Sequence, residues 1–398
     1  FFRCTMSCRV AIVAAKRTPI GAFQGKLATS KAPDLASVAI KGCMQSANLS
    51  PEWIQEVRLG NVLSAGVGQA PTRQAAIGAG LLTSVPCMTI NKVCGSGMAA
   101  IMDQANSIRL GLQSVGFAGG MESMSNAPYL LPGARGGYRM GNKNTVDSMV
   151  HDGLWDPYND QHMGHCGEVC AEHYGFSRQD QDEYAAESVR RAQSAVQNGN
   201  FVDEIVPVTA TARGKETLVA ADEQPGLCNA SKIPTLKPAF KKGGTITAAN
   251  ASSINDGAAA LCLMSERTAL DLGMAPLGYI TGYATYAHDP LWFTTAPAFA
   301  VRKVLDQMEL RVADIDLWEI NEAFAVVTMA AMKDLGLSHD NVNIDGGACA
   351  LGHPIGATGA RLVVTLLHQL RRQGKRRGLA TLCIGGGEAT ALVVEHAD

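Results

Sequence analysis

The chain reads as an α/β protein: a duplicated core of two similar sheet-and-helix halves packed in layers, with an inserted loop domain. Three observations predict this. Short apolar runs of strand length alternate with longer, small-residue stretches of helical length. Both ends of the chain follow one order: a Gly-rich turn, a small-residue helix, an apolar strand, then a Gly-Gly element with Glu. That last element is Gly119-Gly120-Met121-Glu122 in one half and Gly386-Gly387-Glu388 in the other. Between them, residues 125–247 become rich in Gly, Asn, Pro and charge.

Taken in order, residues 10–14 read as a short buried strand and 32–46 as a helix. Residues 96–110 form a second helix after a turn at Cys94, and 115–119 a buried strand. Inside the insertion, 178–198 is amphipathic at helical spacing. Ser177 is its N-cap, with Asp180 at the box position that Glu or Gln usually fills. Insertions of this kind often cover active sites. In the second half, 315–320 is an apolar segment and 356–371 a helix after a turn at His353. Strands follow at 379–384 and 389–394. A repeat this long and weak is not a solenoid; it predicts two similar sheets around a shared helical layer.

Composition bounds the function. With 398 residues, 46% hydrophobic and 18% charged, the chain can bury the cores of two or three domains. The formal net charge of -2 and the lack of a long basic run give no electrostatic case for nucleic acid or an anionic membrane as partner. Apolar stretches break well short of the roughly 20 residues needed to cross a bilayer. The eleven cysteines are scattered, which points to a reducing compartment. Residues 1–10 carry Arg3 and Arg9, no acid and no initial Met. That is compatible with the remnant of a mitochondrial transit peptide, and equally with a trimmed chain.

The chemistry concentrates in three separated pieces: Val93-Cys94-Gly95-Ser96-Gly97, Gly352-His353-Pro354-Ile355-Gly356 and Cys383-Ile384-Gly385-Gly386-Gly387. Cys94 lies where a helix should start, and free N–H groups and the dipole there favour a thiolate and an anionic oxygen. The flanking glycines admit a substrate close to the backbone. The plain alternative is a buried cysteine in a tight turn. His353 sits in a stiff turn with little reason to hold an imidazole unless it is used, as a base for Cys94 or a donor to an oxyanion; otherwise it caps a helix. Cys383 ends an apolar strand, so its thiol should emerge into the crevice at the sheet end. A second thiol beside a first suggests a separate proton transfer, as carbon–carbon bond chemistry requires. Backbone N–H groups around Gly385 offer an oxyanion site. Asn321 follows another apolar segment and offers an amide that can position water or a carbonyl.

His162, His165, Cys166, Cys170, Glu172 and His173 crowd together, with Cys166, Cys170 and His173 at helical spacing. The cluster has no Cys-x-x-Cys or His-Glu-x-x-His pattern, so no metal is expected. Neither a Gly-x-x-x-x-Gly-Lys-Ser/Thr loop nor a dinucleotide fingerprint is present.

Together the segments 91–97, 321–325, 346–348 with 352–359, and 383–387 resemble the signature blocks of the thiolase family, in its order and roughly at its spacing. Segments 147–154 and 162–164 resemble its acetoacetyl-CoA branch more than its long-chain 3-ketoacyl-CoA branch. The resemblance implies a thiolase-like fold, with a core domain of 1–123 plus 250–275, a loop domain of 124–249 over the active site, and a second core domain of 276–398. It implies reversible Claisen condensation of two acetyl-CoA to acetoacetyl-CoA and coenzyme A. Cys94 would carry the acyl group, His353 activate it, Cys383 take the α-proton, and Asn321 hold an oxyanion-site water. The N–H groups of Cys94 and Gly385 would form the other oxyanion site. More loosely, His162, Met163, Phe240, Ala249, Ser252, Ala323 and Phe324 match positions along the coenzyme A tunnel. Lys232 stands in for an arginine that relatives place near the adenine. No cofactor is implied beyond coenzyme A and acyl-CoA as substrates. Phe293 is followed by Thr294 where the potassium-activated mitochondrial branch has Pro, which leaves potassium activation and 2-methylated substrates open. The family also implies a homo-oligomer, tetramer before dimer, in the mitochondrial matrix or cytoplasm. A broader degradative 3-ketoacyl-CoA thiolase and an inactive acyl-CoA-binding or lipid-carrier protein are the alternatives.

Overall fold

The computed structural model describes residues 9–397; the basic segment at 1–8 lies outside the described residues. The first half is built from strands β1 (Val10–Arg17), β2 (Glu56–Gly60), β3 (Cys87–Ile90), β4 (Val115–Ser123) and β5 (Asn255–Ser265). Its helices are α1 (Ala32–Ser46), α2 (Pro71–Gly78) and α3 (Ser96–Arg109). Two further helices, α4 (Met163–Tyr174) and α5 (Arg178–Gln197), lie between β4 and β5. The second half holds β6 (Gly278–Ala287), α6 (Ala296–Gln307), β7 (Leu317–Ile320), α7 (Ala325–Leu335), α8 (Ile355–Gln373), β8 (Arg377–Ile384) and β9 (Glu388–His396).

The duplication is visible in the strand order, β7-β8-β9-β6-β1-β5-β4-β2-β3, with the small strand Gly21–Ala22 added on β5. Outward from the central β6/β1 pair, each half runs two antiparallel pairings and then a parallel one. β1, β5, β4 and β2 are therefore the counterparts of β6, β9, β8 and β7. The halves are not separate sheets as expected: a three-residue antiparallel ladder, Val10–Ile12 against Ile280–Gly278, joins them edge to edge.

Helices α3 and α8 form the shared layer between the halves, in a core with side chains from strands of both. α1 and α2 cover the outer face of the first half, and α6 and the end of α7 that of the second. This placement explains the sequence. β4 is buried at all nine positions and α8 at every position from Ile355 to Leu370, because each is covered on more than one side. The polar residues of α8 are consequently paired inside, as Arg361 is with Glu319 at 2.9 Å.

One expected equivalence fails. Gly385–Gly387 is a turn, with Gly386 and Gly387 at φ 92 and 89, whereas Gly119 and Gly120 continue β4 as strand. The reason is steric: a β-carbon on Gly120 would strike the Gly356 carbonyl at the start of α8.

The insertion is tied down by polar contacts. The Ser177 hydroxyl accepts the Asp180 N–H at 3.1 Å and the Asp180 carboxylate accepts the Ser177 N–H at 2.8 Å, so the expected cap forms on α5. Tyr184 and Ser188 of α5 donate to the buried Glu322 carboxylate at 2.9 and 2.8 Å. Arg17 on β1 is buried between Glu204 and Asp222 of the insertion.

Candidate active site

Cys94 is presented by a strained turn. Val93, immediately before it, has φ 47, a left-handed conformation rare for a β-branched residue and costing about 1–3 kcal/mol. Neighbours hold it there. The Ser96 hydroxyl donates to the Val93 carbonyl at 2.6 Å and accepts the Lys92 N–H at 2.8 Å, and the Asn91 side chain accepts the Val93 N–H at 3.0 Å. Helix α3 then begins at Ser96.

The start of α8 is brought to this turn by glycines. A β-carbon on Gly60, at the end of β2, would lie 2.6 Å from the Gly97 nitrogen and 2.7 Å from the Gly356 oxygen. One on Gly97 would lie 2.9 Å from the Ala360 nitrogen. The bare backbone at these positions lets α3, α8 and β2 meet. Glu122 fastens the junction, accepting the N–H groups of Val62, Leu63 and Gly356 at 2.9 to 3.2 Å.

Cys94 and His353 consequently line one apolar cavity of about 230 Å³, and the Gly385 backbone joins them from the β8–β9 turn. Burial pushes the Cys94 thiol up to about 11, opposed by a hydrogen bond from the Gly385 N–H. The helix start alone therefore does not give the resting thiolate that its position suggested; desolvation outweighs it. Burial, reinforced by Arg361, lowers His353 to about 3, so its imidazole is neutral and available as a base. Its Nδ1 lies 2.6 Å from the Thr358 hydroxyl, and its Nε2 has no protein partner.

Cys383 is fully buried behind the cavity wall, not open to the crevice as expected. Burial and then the proximity of Cys94 hold its thiol well above the usual range. Asn321 is also fully buried, and both polar atoms of its amide lack a partner.

Of the remaining sequence-derived positions, His162, Met163, Phe240, Ser252, Ala323 and Phe324 line the cavity. His162 caps α4, its Nδ1 accepting the Gly164 N–H at 3.1 Å, which leaves the Nε2–H as a donor. Its ring stacks on Phe240 at 4.7 Å. Ala249 and Lys232 do not line the cavity: the Ala249 N–H donates to the Thr247 hydroxyl at 3.3 Å, and Lys232 is exposed on a separate turn. The metal-like cluster disperses, with Cys166 facing Asp156 and Cys170 facing the Val326 carbonyl. No group of three or more His, Cys, Asp or Glu converges among the described residues.

Comparison with known proteins decides the family. The thiolase N-terminal domain profile matches residues 10–267 and the thiolase C-terminal domain profile residues 274–396. The chain belongs to the thiolase family. This thiolase is 51% identical over 389 residues to acetyl-CoA acetyltransferase 2 of Arabidopsis thaliana, covering 97% of this chain and 96% of the relative. It is 50% identical to the mitochondrial acetyl-CoA acetyltransferase of Mus musculus, covering 97% and 91%. Among solved structures, the Bacillus anthracis acetyl-CoA acetyltransferase superposes with a TM-score of 0.96 at 41% identity, covering 98% of this chain and 99% of that one. A thiolase from Ascaris suum in complex with coenzyme A superposes at 0.93 and 44% identity, covering 98% and 100%.

The sequence assigned no lining role to Met124, Leu154, Ile254 and Ile355, which close the far end of the thiolase cavity beside Cys94. Leu154 and Ile355 lie within segments that resemble the family, but as side chains all four show only apolarity, which also describes a core.

Proposed function

We propose that the chain catalyses the reversible condensation of two acetyl-CoA to acetoacetyl-CoA and coenzyme A. The observation that carries this reading is the meeting of Cys94, neutral His353 and the Gly385 N–H in one apolar cavity, with a second thiol, Cys383, directly behind. The names of the acetyl-CoA acetyltransferase relatives support it.

In the proposed reaction, the Cys94 sulfur attacks the thioester carbonyl of acetyl-CoA while His353 Nε2 takes its proton. Coenzyme A leaves with that proton. One thioester replaces another, so the step runs both ways. Cys383 then passes its thiol proton to His353, and as thiolate it takes the α-proton of a second acetyl-CoA, whose carbanion attacks the acetyl group on Cys94. The product departs and Cys94 recovers its proton from the His353 imidazolium. The unpartnered Asn321 amide fits a bridging water that, with His353, faces the enolate oxygen. The Cys94 and Gly385 N–H groups would receive the oxyanion of the attacked thioester. His162, Met163, Phe240, Ser252, Ala323 and Phe324 would line the path of the pantetheine chain. We place the nucleotide end near exposed Lys232, with Ala249 outside direct contact. No cofactor is included, and potassium titration of the rate tests that.

We also propose a homo-oligomer, tetramer before dimer. β3 is a terminal strand of the sheet with Met88 42% exposed, and the segment around Tyr129 and Met140 presents large apolar side chains to solvent. Light scattering on purified protein tests the assembly. All nine described cysteines are free, in keeping with the mitochondrial matrix or the cytoplasm.

The deciding experiment is coenzyme A-dependent cleavage of acetoacetyl-CoA beside a 3-ketoacyl-CoA of six to ten carbons, with Cys94→Ala as control. Turnover of acetoacetyl-CoA alone supports the proposal. Comparable turnover of both substrates replaces it with the degradative reading, and none with either, in a protein that still binds coenzyme A, replaces it with the carrier reading.

A further inference from the structure

Thr358 sits on the first turn of α8 with its hydroxyl between two groups. Oγ1 lies 2.6 Å from His353 Nδ1 and 2.9 Å from the Pro354 carbonyl oxygen. All three groups are buried, His353 being 5% exposed and Thr358 0%. The hydroxyl has one proton, so two arrangements compete. In the first, Thr358 donates to the Pro354 carbonyl and accepts from an Nδ1–H, making two hydrogen bonds. In the second, Thr358 donates to a bare Nδ1, making one. The second also places the imidazole proton on Nε2, a buried atom with no protein acceptor. The Pro354 carbonyl already receives the Ala357 and Thr358 N–H groups at 2.9 and 3.0 Å, so it would tolerate either arrangement. The difference lies at the imidazole, and the first arrangement keeps one more hydrogen bond in a site where each missing bond is costly.

We infer that Thr358 is a positioning residue: its hydroxyl, braced on the Pro354 carbonyl, holds His353 as the Nδ1–H tautomer and leaves the Nε2 lone pair facing the active-site cavity. The orientation has a chemical consequence. An Nε2 lone pair can receive the Cys94 proton, and the resulting imidazolium still donates Nδ1–H to Thr358 while its new Nε2–H can point at a developing oxyanion. The opposite tautomer offers a donor to the cavity before the thiol has been deprotonated and cannot accept that proton at Nε2. The backbone of the same residue is fixed separately, the His353 N–H donating to Asn255 Oδ1 at 3.0 Å. Removing the Thr358 hydroxyl therefore frees the ring and its proton without releasing the turn.

This inference rests on the reading that His353 activates Cys94, and the experiment separates the two. Single-turnover acetylation of Cys94 by acetyl-CoA is measured in the wild type, Thr358→Val, Thr358→Ser and His353→Asn. Two-bond 1H–15N spectra of ring-labelled histidine protein report the His353 tautomer, the His353→Asn spectrum assigning the signal. The expected results are an Nδ1–H pattern in the wild type, acetylation slowed by roughly 10²-fold in Thr358→Val, the scale of lost general-base catalysis, and near-wild-type behaviour in Thr358→Ser. An Nε2–H pattern in the wild type overturns the inference whether or not Thr358→Val folds. So does a folded Thr358→Val that acetylates at the wild-type rate while His353→Asn is inactive. Full acetylation in His353→Asn instead removes the underlying reading.

Discussion

Gly60→Ala is the smallest change that should pull the two halves of the site apart. The added methyl would sit 2.6 Å from the Gly97 nitrogen on α3 and 2.7 Å from the Gly356 oxygen on α8. Both obstacles are backbone, so no side chain can swing aside. Reaching a carbon–oxygen separation of about 3.3 Å requires a retreat of roughly 0.6 Å. Moving one helix relieves only one contact. Overpacking of this kind costs about 1–3 kcal/mol, and a displacement approaching 1 Å near reacting groups lowers rates by up to about 10²-fold. Urea unfolding and acetoacetyl-CoA cleavage should therefore show lower stability together with at least a tenfold loss of kcat/KM. Gly136→Ala, where an added methyl meets nothing within 4 Å, is the matched control and should change neither. A Gly60→Ala protein within about 0.5 kcal/mol of wild type and fully active would refute the claim that bare backbone sets the Cys94–His353 approach.

Three further outcomes are expected. Cys94→Ala should abolish acetyl-enzyme formation, whereas Cys383→Ala should still acetylate at Cys94 and fail only in condensation; equal loss of both steps in Cys383→Ala contradicts separate roles. His353 is held neutral in the fold, lowered to about 3 from 6.5, so protons bind the unfolded chain preferentially as pH drops below 6.5. Its contribution to stability is full above that pH and shrinks towards pH 3, by roughly 2–3 kcal/mol at pH 4.5. His353→Asn should unfold with a correspondingly flatter pH dependence, and an unchanged slope contradicts it. Ser177→Ala removes the cap of α5 and should lower stability by about 1 kcal/mol in urea unfolding, with little change in the acetylation step.

Much of this site is legible because its residues defy a packing explanation. Cys94 and His353 sit among glycines and prolines, where a core has no use for a thiol or an imidazole, and the capping box at Ser177 and Asp180 is written locally. What escapes the sequence depends on distance in space. Val93 reads as an ordinary apolar residue until its backbone is seen in the left-handed region. Thr358 reads as any helix threonine, and only the fold sets it against His353. Leu154 and Ile355 close the cavity but carry the same signature as buried core. Gly119-Gly120 misled for a related reason: a double glycine marks a turn when the chain must reverse, and a strand when a neighbouring backbone leaves no room for side chains.

The duplication also explains why one thiol lines the cavity while a second lies directly behind its wall. α3 and α8 are counterparts, so the turns that precede them, with Cys94 and His353, come together across the shared helical layer. β4 and β8 are counterparts too, but only the end of β8 carries a thiol and turns tightly; at the same point after β4 the chain leaves to form the insertion and returns at Asn255. A symmetric scaffold would offer two equivalent crevices. The insertion breaks that equivalence: it leaves one half, crosses the junction, and puts His162 and Met163 beside the Cys94–His353 pair. Its anchors on both halves, Arg17 with Glu204 and Asp222 and Glu322 with Tyr184 and Ser188, keep those side chains at the mouth of a site built by the helices beneath.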